Sequence, residues 1–330
     1  MSLRNYVYLA VSITLSVIFT LSMFFTIFVL PHILNNLFLN PSLNRVESRI
    51  LISEICFFMF IVSILLIIIG YMVRRAGISV FGSILFFLPT YGNFALYMTL
   101  LGGAGILRSI WLPLVMITGE AYILTLGSTV FLLPIFILSI PIILGLDTIF
   151  LQIIFSILVI IGGLILGFST TTWIQYYVER KGLIKTGLYK YIRHPQYLAY
   201  ILWFYLSFAL DSMYCVSPFT KIPAPGLPFT ILFYTLIYKA LSEEVDLLKK
   251  YGDEYREYRE QSSFIIPLPL RFKKLLLSIS RKVIGKDLPD NIDEVRKVVF
   301  TYFILTLLIS MPFDFILYNT AWRSCFYLRL

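Results

Sequence analysis

The chain has 330 residues, of which 59% are hydrophobic and only 14% charged. A soluble protein of that length could not cover so much apolar surface, so the composition points to an all-α, polytopic integral membrane bundle; the apolar runs lack the period-two alternation of a membrane β-barrel. The net charge of +9 is localised, with five of the 27 Lys and Arg at 180–193 and twelve at 249–297, which favours a topology signal and contact with anionic membrane lipids over nucleic acid.

Membrane spans are expected at 6–30, 48–72, 79–101, 121–145, 149–176, 195–211, 226–242 and 298–318. The first run is too long for a signal peptide and lacks a small-residue cleavage site, so it is expected to be retained. His32 and His194 are the two histidines, and Cys56, Cys215 and Cys325 lie far apart, so neither a disulfide nor a metal centre is expected. Glu54 falls inside an apolar run, as either a functional carboxylate or a paired structural one. Arg74 and Arg75 mark a tight turn on the positive, cytoplasmic side. The run 105–118 is short for a span. Counting it as a crossing makes an even number between that turn and the basic tract 177–194, with the N-terminus inside. Pro134 and Pro141 should kink their span. Gly162, Gly163 and Gly167 offer a small-residue face for close helix packing.

Next comes GLYKYIRHPQYLAY, residues 187–200, where charge and tyrosine crowd against the start of an apolar run. Beyond the hairpin 195–242 the chain reads EEVDLLKKYGDEYREYREQ. Glu244, Leu248, Tyr251, Tyr255 and Tyr258 recur at helical spacing on one face, with Lys249, Lys250, Asp253, Arg256 and Arg259 expected largely elsewhere and Gly252 expected to loosen or kink the helix. Residues 268–282 read as a basic amphipathic helix lying on the membrane surface. The tracts 177–198 and 239–262 flank the hairpin, so they should meet in space. That joins Arg193, His194, Tyr189 and Tyr197 to Lys239, Glu243, Glu244 and the tyrosine stripe. Singly, each element has a structural explanation: an Arg-His-Pro at a span start is a common interfacial anchor, and tyrosines form aromatic belts. Together they make a mixed-charge aromatic pocket at the water–lipid boundary, suited to a polar cofactor from water and a lipidic substrate from the bilayer.

Gly187, Tyr189, Arg193, His194, Pro195 and Tyr197, followed by Glu243, Glu244, Gly252, Tyr255 and Tyr258, resemble the two-part motif of the isoprenylcysteine carboxyl methyltransferase family. That family belongs to a wider group with the phosphatidylethanolamine N-methyltransferases. The resemblance covers about 175–267; the first 145 residues show none. It implies S-adenosylmethionine as cofactor, held without a Rossmann domain, in keeping with the lack of a GxGxxG between strand and helix. Carried over by position, it implies cofactor contacts at Gln175, Lys181, Gly182, Leu183, Ile184, Tyr189, His194, Pro195, Gln196, Tyr197 and Glu243. It implies catalytic roles for His194, Glu243 and Glu244, and substrate contacts at Lys239 and Arg193. Lys239 stands where the family has an arginine, which keeps the charge but loses the planar bidentate fork. Ala199 stands where the family has a glycine. The implied organisation is 1–147 as N-terminal transmembrane helices, 148–267 as methyltransferase core, and 268–330 as amphipathic and final membrane helices.

The residue types suit methyl transfer on physical grounds as well. Aromatic faces and a carboxylate hold a sulfonium cation. Transfer of its methyl to an anion destroys charge, which a dry, well-aligned pocket favours. A carboxylate acceptor, as on an isoprenylcysteine-like group, needs no base; a phospholipid amine would need one, from His194 or Glu244. An NADPH-dependent sterol-reductase-like enzyme shares Lys250-Tyr251-Gly252 but departs at Ser242, Tyr255 and Arg259. A non-catalytic scaffold or transport role is the remaining alternative, and no run of intramembrane charges lines a pore.

Overall fold

The structure, a computed structural model, describes residues 3–30, 33, 46–92, 111–118, 121–143, 149–213 and 224–320. Among them are eleven α-helices and no strand. They are α1 (Leu3–Phe24), α2 (Val46–Met72), α3 (Ala76–Phe87), α4 (Leu112–Thr118), α5 (Ser128–Ile143), α6 (Ile149–Val178), α7 (Pro195–Met213), α8 (Gly226–Tyr251), α9 (Asp253–Gln261), α10 (Leu270–Ile284) and α11 (Ile292–Thr320). A π-turn at Phe25–Val29 prolongs α1. The all-α expectation holds.

Among the described residues, three helices are long and apolar enough to cross a membrane: Arg4–Val29, Ile149–Val178 and Ile292–Asn319. Their outward faces agree. On α6, Ile153, Ile157, Ile160, Ile161, Leu164 and Phe168 are exposed at three- and four-residue spacing, a stripe that lipid can cover and water cannot. The expected spans 195–211 and 226–242 fall in α7 and α8, continuous helices that are not among those three. The expected spans 79–101 and 105–118 lie partly outside the described residues, as do His32, Cys215, Cys325 and the side chain of Cys56. Pro134 and Pro141 both lie within α5, which runs unbroken through them; each removes one backbone donor without ending the helix. Glu54 is exposed on α2.

The chain forms two compact units. One comprises Met1–Phe24, Ile154–Phe204 and Leu236–Thr301; the other comprises Phe25–Ile153, Tyr205–Thr235 and Tyr302–Leu330. In the first, α1 lies hard against the glycine face of α6. A Cβ on Gly163 would come within 2.8 Å of the Thr20 backbone, and one on Gly167 within 2.5 Å of the Ser16 amide. The small-residue face therefore does pack backbone against backbone.

In the second unit, α2 and α3 turn about Arg74, whose φ is 63°. The Ser79 hydroxyl donates to the Ile67 carbonyl across that hairpin at 3.0 Å. Phe86, Trp111 and Leu124 form a buried cluster, and the Trp111 indole donates to the Phe86 carbonyl at 2.8 Å. Phe208 of α7 stacks on Phe229 of α8 with centroids 4.7 Å apart.

The same unit holds a buried carboxylate that the sequence analysis did not single out. Asp314 of α11 is 1% exposed. It accepts hydrogen bonds from the amides of Gly127 (2.8 Å) and Thr129 (2.7 Å), from the Thr129 hydroxyl (2.6 Å) and from Ser310. It therefore caps the start of α5 from another helix, where a negative charge meets amides that lack helical partners. Asp314→Ala should lower stability by about 3 kcal/mol, because buried donors lose a charged acceptor. A thermal melt of the detergent-solubilised variant followed by helical circular dichroism checks this, and a midpoint equal to that of the parent would refute the cap.

Candidate active site

The site lies wholly within the first unit. Its first wall begins where α6 ends. Arg180 adopts a left-handed conformation and the Lys181 amide closes back on the Tyr176 carbonyl at 3.0 Å. A short 3₁₀ turn, Gly187–Lys190, follows. Gly187 has φ 61°, a conformation that suits glycine. Residues 191–194 pair with the segment after α9 through a parallel bridge between Ile192 and Ser263. The Arg193 amide donates to the Ser263 carbonyl (2.8 Å), the His194 amide to Phe264 (3.2 Å) and the Ser263 amide to Tyr191 (2.9 Å). Pro195 then opens α7 at the first helical position, where a missing amide costs nothing.

The second wall is α8 and α9. The helix is not merely loosened at Gly252: α8 ends at Tyr251, Gly252 turns with φ 54°, and α9 starts at Asp253. Glycine tolerates this positive φ where a side chain would be strained. Leu248, Tyr255 and Tyr258 pack together with Leu183, Leu247 and Tyr251, so the tyrosine stripe is a real face. Arg259 departs from expectation. It is buried, not on the solvated side, because it lies one helical turn beyond Tyr255 on the same face.

At the junction, Glu244 gathers two guanidinium groups and an imidazole. Arg193 donates Nε to its Oε1 at 2.6 Å, His194 Nε2 lies 3.3 Å from the same oxygen, and Arg259 Nε lies 2.9 Å from Oε2. Arg193 also donates to the carbonyls of Arg259 (2.8 Å) and Ser262, and its guanidinium sits 5.7 Å from the Phe264 ring centre. Arg259 continues outward to the Pro289 carbonyl (2.8 Å) and Asp290 (3.2 Å). The Glu244 side chain is 0% exposed. Burial by itself raises its pKa, but the hydrogen bond with His194 and the charges of Arg193, His194 and Arg259 outweigh that and hold it at about 2.

Its neighbour Glu243 has a different setting. Oε1 accepts from the Tyr197 hydroxyl at 2.7 Å and pairs with Lys239 Nζ at 2.9 Å, and the side chain is 38% exposed. Successive helical residues point about 100° apart. One glutamate thus turns into a sealed ion cluster and the next opens toward solvent.

The other expected site residues fall around these two. Tyr189 is buried, and its carbonyl accepts the Tyr258 hydroxyl at 2.5 Å. Burial pushes the Tyr258 phenol up to about 12, partly countered by Arg193. Gln196 donates to the Thr170 hydroxyl at 3.3 Å. Leu183 packs into the tyrosine cluster, Gly182 faces Tyr251, and Ile184 is half-buried. Gln175 and Lys181 converge on Glu179, at 3.4 and 2.5 Å, where Arg4 of α1 also arrives at 3.3 Å. The structure therefore joins Arg193, His194 and Glu244 in one group, Tyr197, Lys239 and Glu243 in a second, and Gln175 and Lys181 in a third around Glu179.

Sequence reasoning missed Arg259, Glu179 and the carbonyls of residues 262–264. Arg259 was accessible through its four-residue offset from Tyr255. The backbone pairing leaves no side-chain pattern to find. Among the described residues no group of His, Cys, Asp and Glu is placed to hold a metal.

The Glu244 cluster has a pH signature. A carboxyl held at about 2 in the fold, against an ordinary value of 4.5, stabilises the protein above about pH 4.5 and loses that contribution as pH falls through 2. Glu244→Gln should cost about 3 to 5 kcal/mol at neutral pH, since it strands two buried arginines. The gap between the thermal midpoints of parent and variant should narrow as pH drops from 4.5 toward 2; a gap independent of pH would refute the assignment.

Comparison with known proteins bears on this segment. Residues 143–235 match the isoprenylcysteine carboxyl methyltransferase (ICMT) family model. The chain is 31% identical over 91 residues to a protein-S-isoprenylcysteine O-methyltransferase of Schizosaccharomyces pombe, covering 26% of this chain and 33% of that protein. It is 34% identical over 81 residues to methanethiol S-methyltransferase 1 of Bradyrhizobium diazoefficiens, covering 24% of each. The chain thus spans a third or less of the length of these curated relatives. No solved structure matches it. Over residues 143–235, which carry Arg193, His194, Pro195 and Tyr197, the chain resembles the isoprenylcysteine carboxyl methyltransferase family.

Proposed function

We propose that the protein transfers a methyl group from S-adenosylmethionine to a lipidic acceptor, the carboxylate of an isoprenylcysteine-like group, with the site facing the cytoplasm. The observation that carries this reading is the convergence of Glu243, Tyr197 and Lys239 at 2.7–2.9 Å beside the sealed Glu244 cluster, in and just after a segment matched by the methyltransferase family model. The residues present fit the cofactor. Glu243 is a carboxylate open enough to meet a cation, and aromatic side chains stand beside it. When bound, the cofactor supplies an electrophilic methyl group on a sulfonium centre.

The chain's own residues divide the remaining work. Glu243, with Tyr197 donating to it, is positioned to pair with a cation. By their place in the family motif, Tyr189, His194, Pro195, Gln196, Gln175 and residues 181–184 are assigned the remaining cofactor contacts. Lys239, one helical turn before Glu243, attracts an anionic acceptor. Arg193 has its guanidinium spent on Glu244 and two carbonyls, so it serves as a positioning residue. Glu244 is assigned the same role, since a carboxyl held near 2 is a poor base at neutral pH. Within the broader organisation, 148–267 is assigned as the methyltransferase core, 1–147 as N-terminal transmembrane helices and 268–330 as a basic amphipathic helix and a final membrane helix.

A thiol acceptor is the second reading. It is favoured by the similarity to a methanethiol S-methyltransferase and by the pairing of Lys239 with Glu243, which blunts its pull on an anion.

Calorimetric titration of the solubilised protein with S-adenosylhomocysteine, with NADPH alongside, tests the reading. Saturable binding of the first alone is expected. Binding of NADPH alone, or of neither, would overturn it. Glu243→Ala should weaken S-adenosylmethionine at least tenfold, the loss of one charge-assisted contact; unchanged affinity would remove Glu243 from the site. Lys239→Ala should raise KM for a prenylcysteine carboxylate while leaving S-adenosylhomocysteine affinity alone. For a thiol acceptor KM should not move.

A further inference from the structure

We propose that α10 is a docking surface for anionic lipid headgroups. The inference is independent of the methyl-transfer reading and rests on the helix itself. Helix α10 runs Leu270–Ile284, and Gly285 terminates it in a left-handed cap with φ 77°. Arg271, Lys273, Lys274, Arg281 and Lys282 are all exposed along it. Beside them Leu275 and Leu276 are 60% and 42% exposed. Ser280 is buried and donates to the Lys286 carbonyl at 3.2 Å, which ties the helix to the loop that follows it.

The end of α10 is pinned. Arg281 pairs with Asp287, and Lys286 reaches Asp290 at 2.7 Å and Glu294 at 2.9 Å. Asp290 in turn holds Arg259 of the Glu244 cluster at 3.2 Å. Residues 285–291 join Ile284 to Ile292, where one of the three membrane-length helices begins. So short a link reaches at most about 27 Å. The helix is thereby held close to where α11 enters the lipid.

This placement selects the occupant. A row of cations alone would suit any polyanion, but a soluble acidic partner or a nucleic acid would leave the adjacent leucines in water. A bilayer surface takes both: the leucines enter the headgroup–acyl boundary and the cations stay with anionic headgroups. Through Asp290 and Arg259, docking would also steady the segment that holds Glu244.

The test is hydrogen–deuterium exchange of residues 270–284 in the full-length protein, reconstituted in nanodiscs of phosphatidylcholine alone and of phosphatidylcholine mixed with phosphatidylglycerol. Exchange should be several-fold slower with phosphatidylglycerol, at about fivefold preference per engaged cation, and the difference should shrink in high salt. The variant R271Q/K273Q/K274Q/K282Q, which spares the Arg281–Asp287 pair, should lose the difference while keeping the parent's melting midpoint. Equal exchange in the two nanodiscs overturns the proposal. So does slowing that is equal in both, since the leucines alone would then seat the helix. The comparison of lipids uses the unaltered chain, so it stands even if the variant fails to fold.

Discussion

A single buried carboxylate organises the polar half of this molecule. Glu244 sits in the interior with a guanidinium on each oxygen and an imidazole beside one of them. Removing one such charge from water is expensive, and only close, hydrogen-bonded counter-charges offset it. The partners come from separate stretches of chain: Arg193 and His194 from the segment before α7, and Arg259 from α9. The cluster therefore dictates that the turn at Gly252 folds α9 back beside α8. It also requires residues 262–264 to lie along residues 191–194, since Arg193 bonds the carbonyl of Ser262 as well as Glu244. The short backbone ladder between Tyr191 and Phe264 follows from that arrangement.

The neighbouring glutamate profits from this rigidity. Helical geometry turns Glu243 away from the cluster, while the cluster fixes the turn of α8 that carries it. Tyr197 is fixed likewise, because it lies three residues beyond His194 on the first turn of α7. The hydroxyl and the carboxylate meet at 2.7 Å without either having to be ordered when a ligand arrives, and preorganisation of this kind lowers the cost of binding. The same logic separates two adjacent, chemically identical side chains: one holds the walls together, the other stays partly exposed beside Tyr197 and Lys239.

Much of this was legible in the sequence, and for identifiable reasons. Apolar runs of membrane length are coarse signals that survive any packing detail, so the helical bundle and the meeting of tracts 177–198 and 239–262 could be inferred. The glycines on α6 read correctly because close packing there depends on the absence of a side chain. Arg259 misled because arginine in a charged tract looks solvated, although its spacing from Tyr255 put it on the buried face. Glu179 was overlooked because its partners Arg4, Gln175 and Lys181 include one from the far end of the sequence. Asp314 resisted for a similar reason. It sits on α11, and its meaning comes from amides 185 and 187 residues away.

That long reach has a consequence for how the protein is made. The start of α5 leaves the ribosome well before the side chain that completes it. Until α11 has been inserted, the amides at Gly127 and Thr129 lack their acceptor in an apolar setting, where an unmatched donor is costly. The beginning of α5 therefore cannot settle during early synthesis and must wait for the last described helix. A chain that stalls or is cut before Asp314 would carry an unfinished helix end inside the second unit. The carboxylate thus acts as a completion mark, joining the assembly of that unit to the arrival of α11.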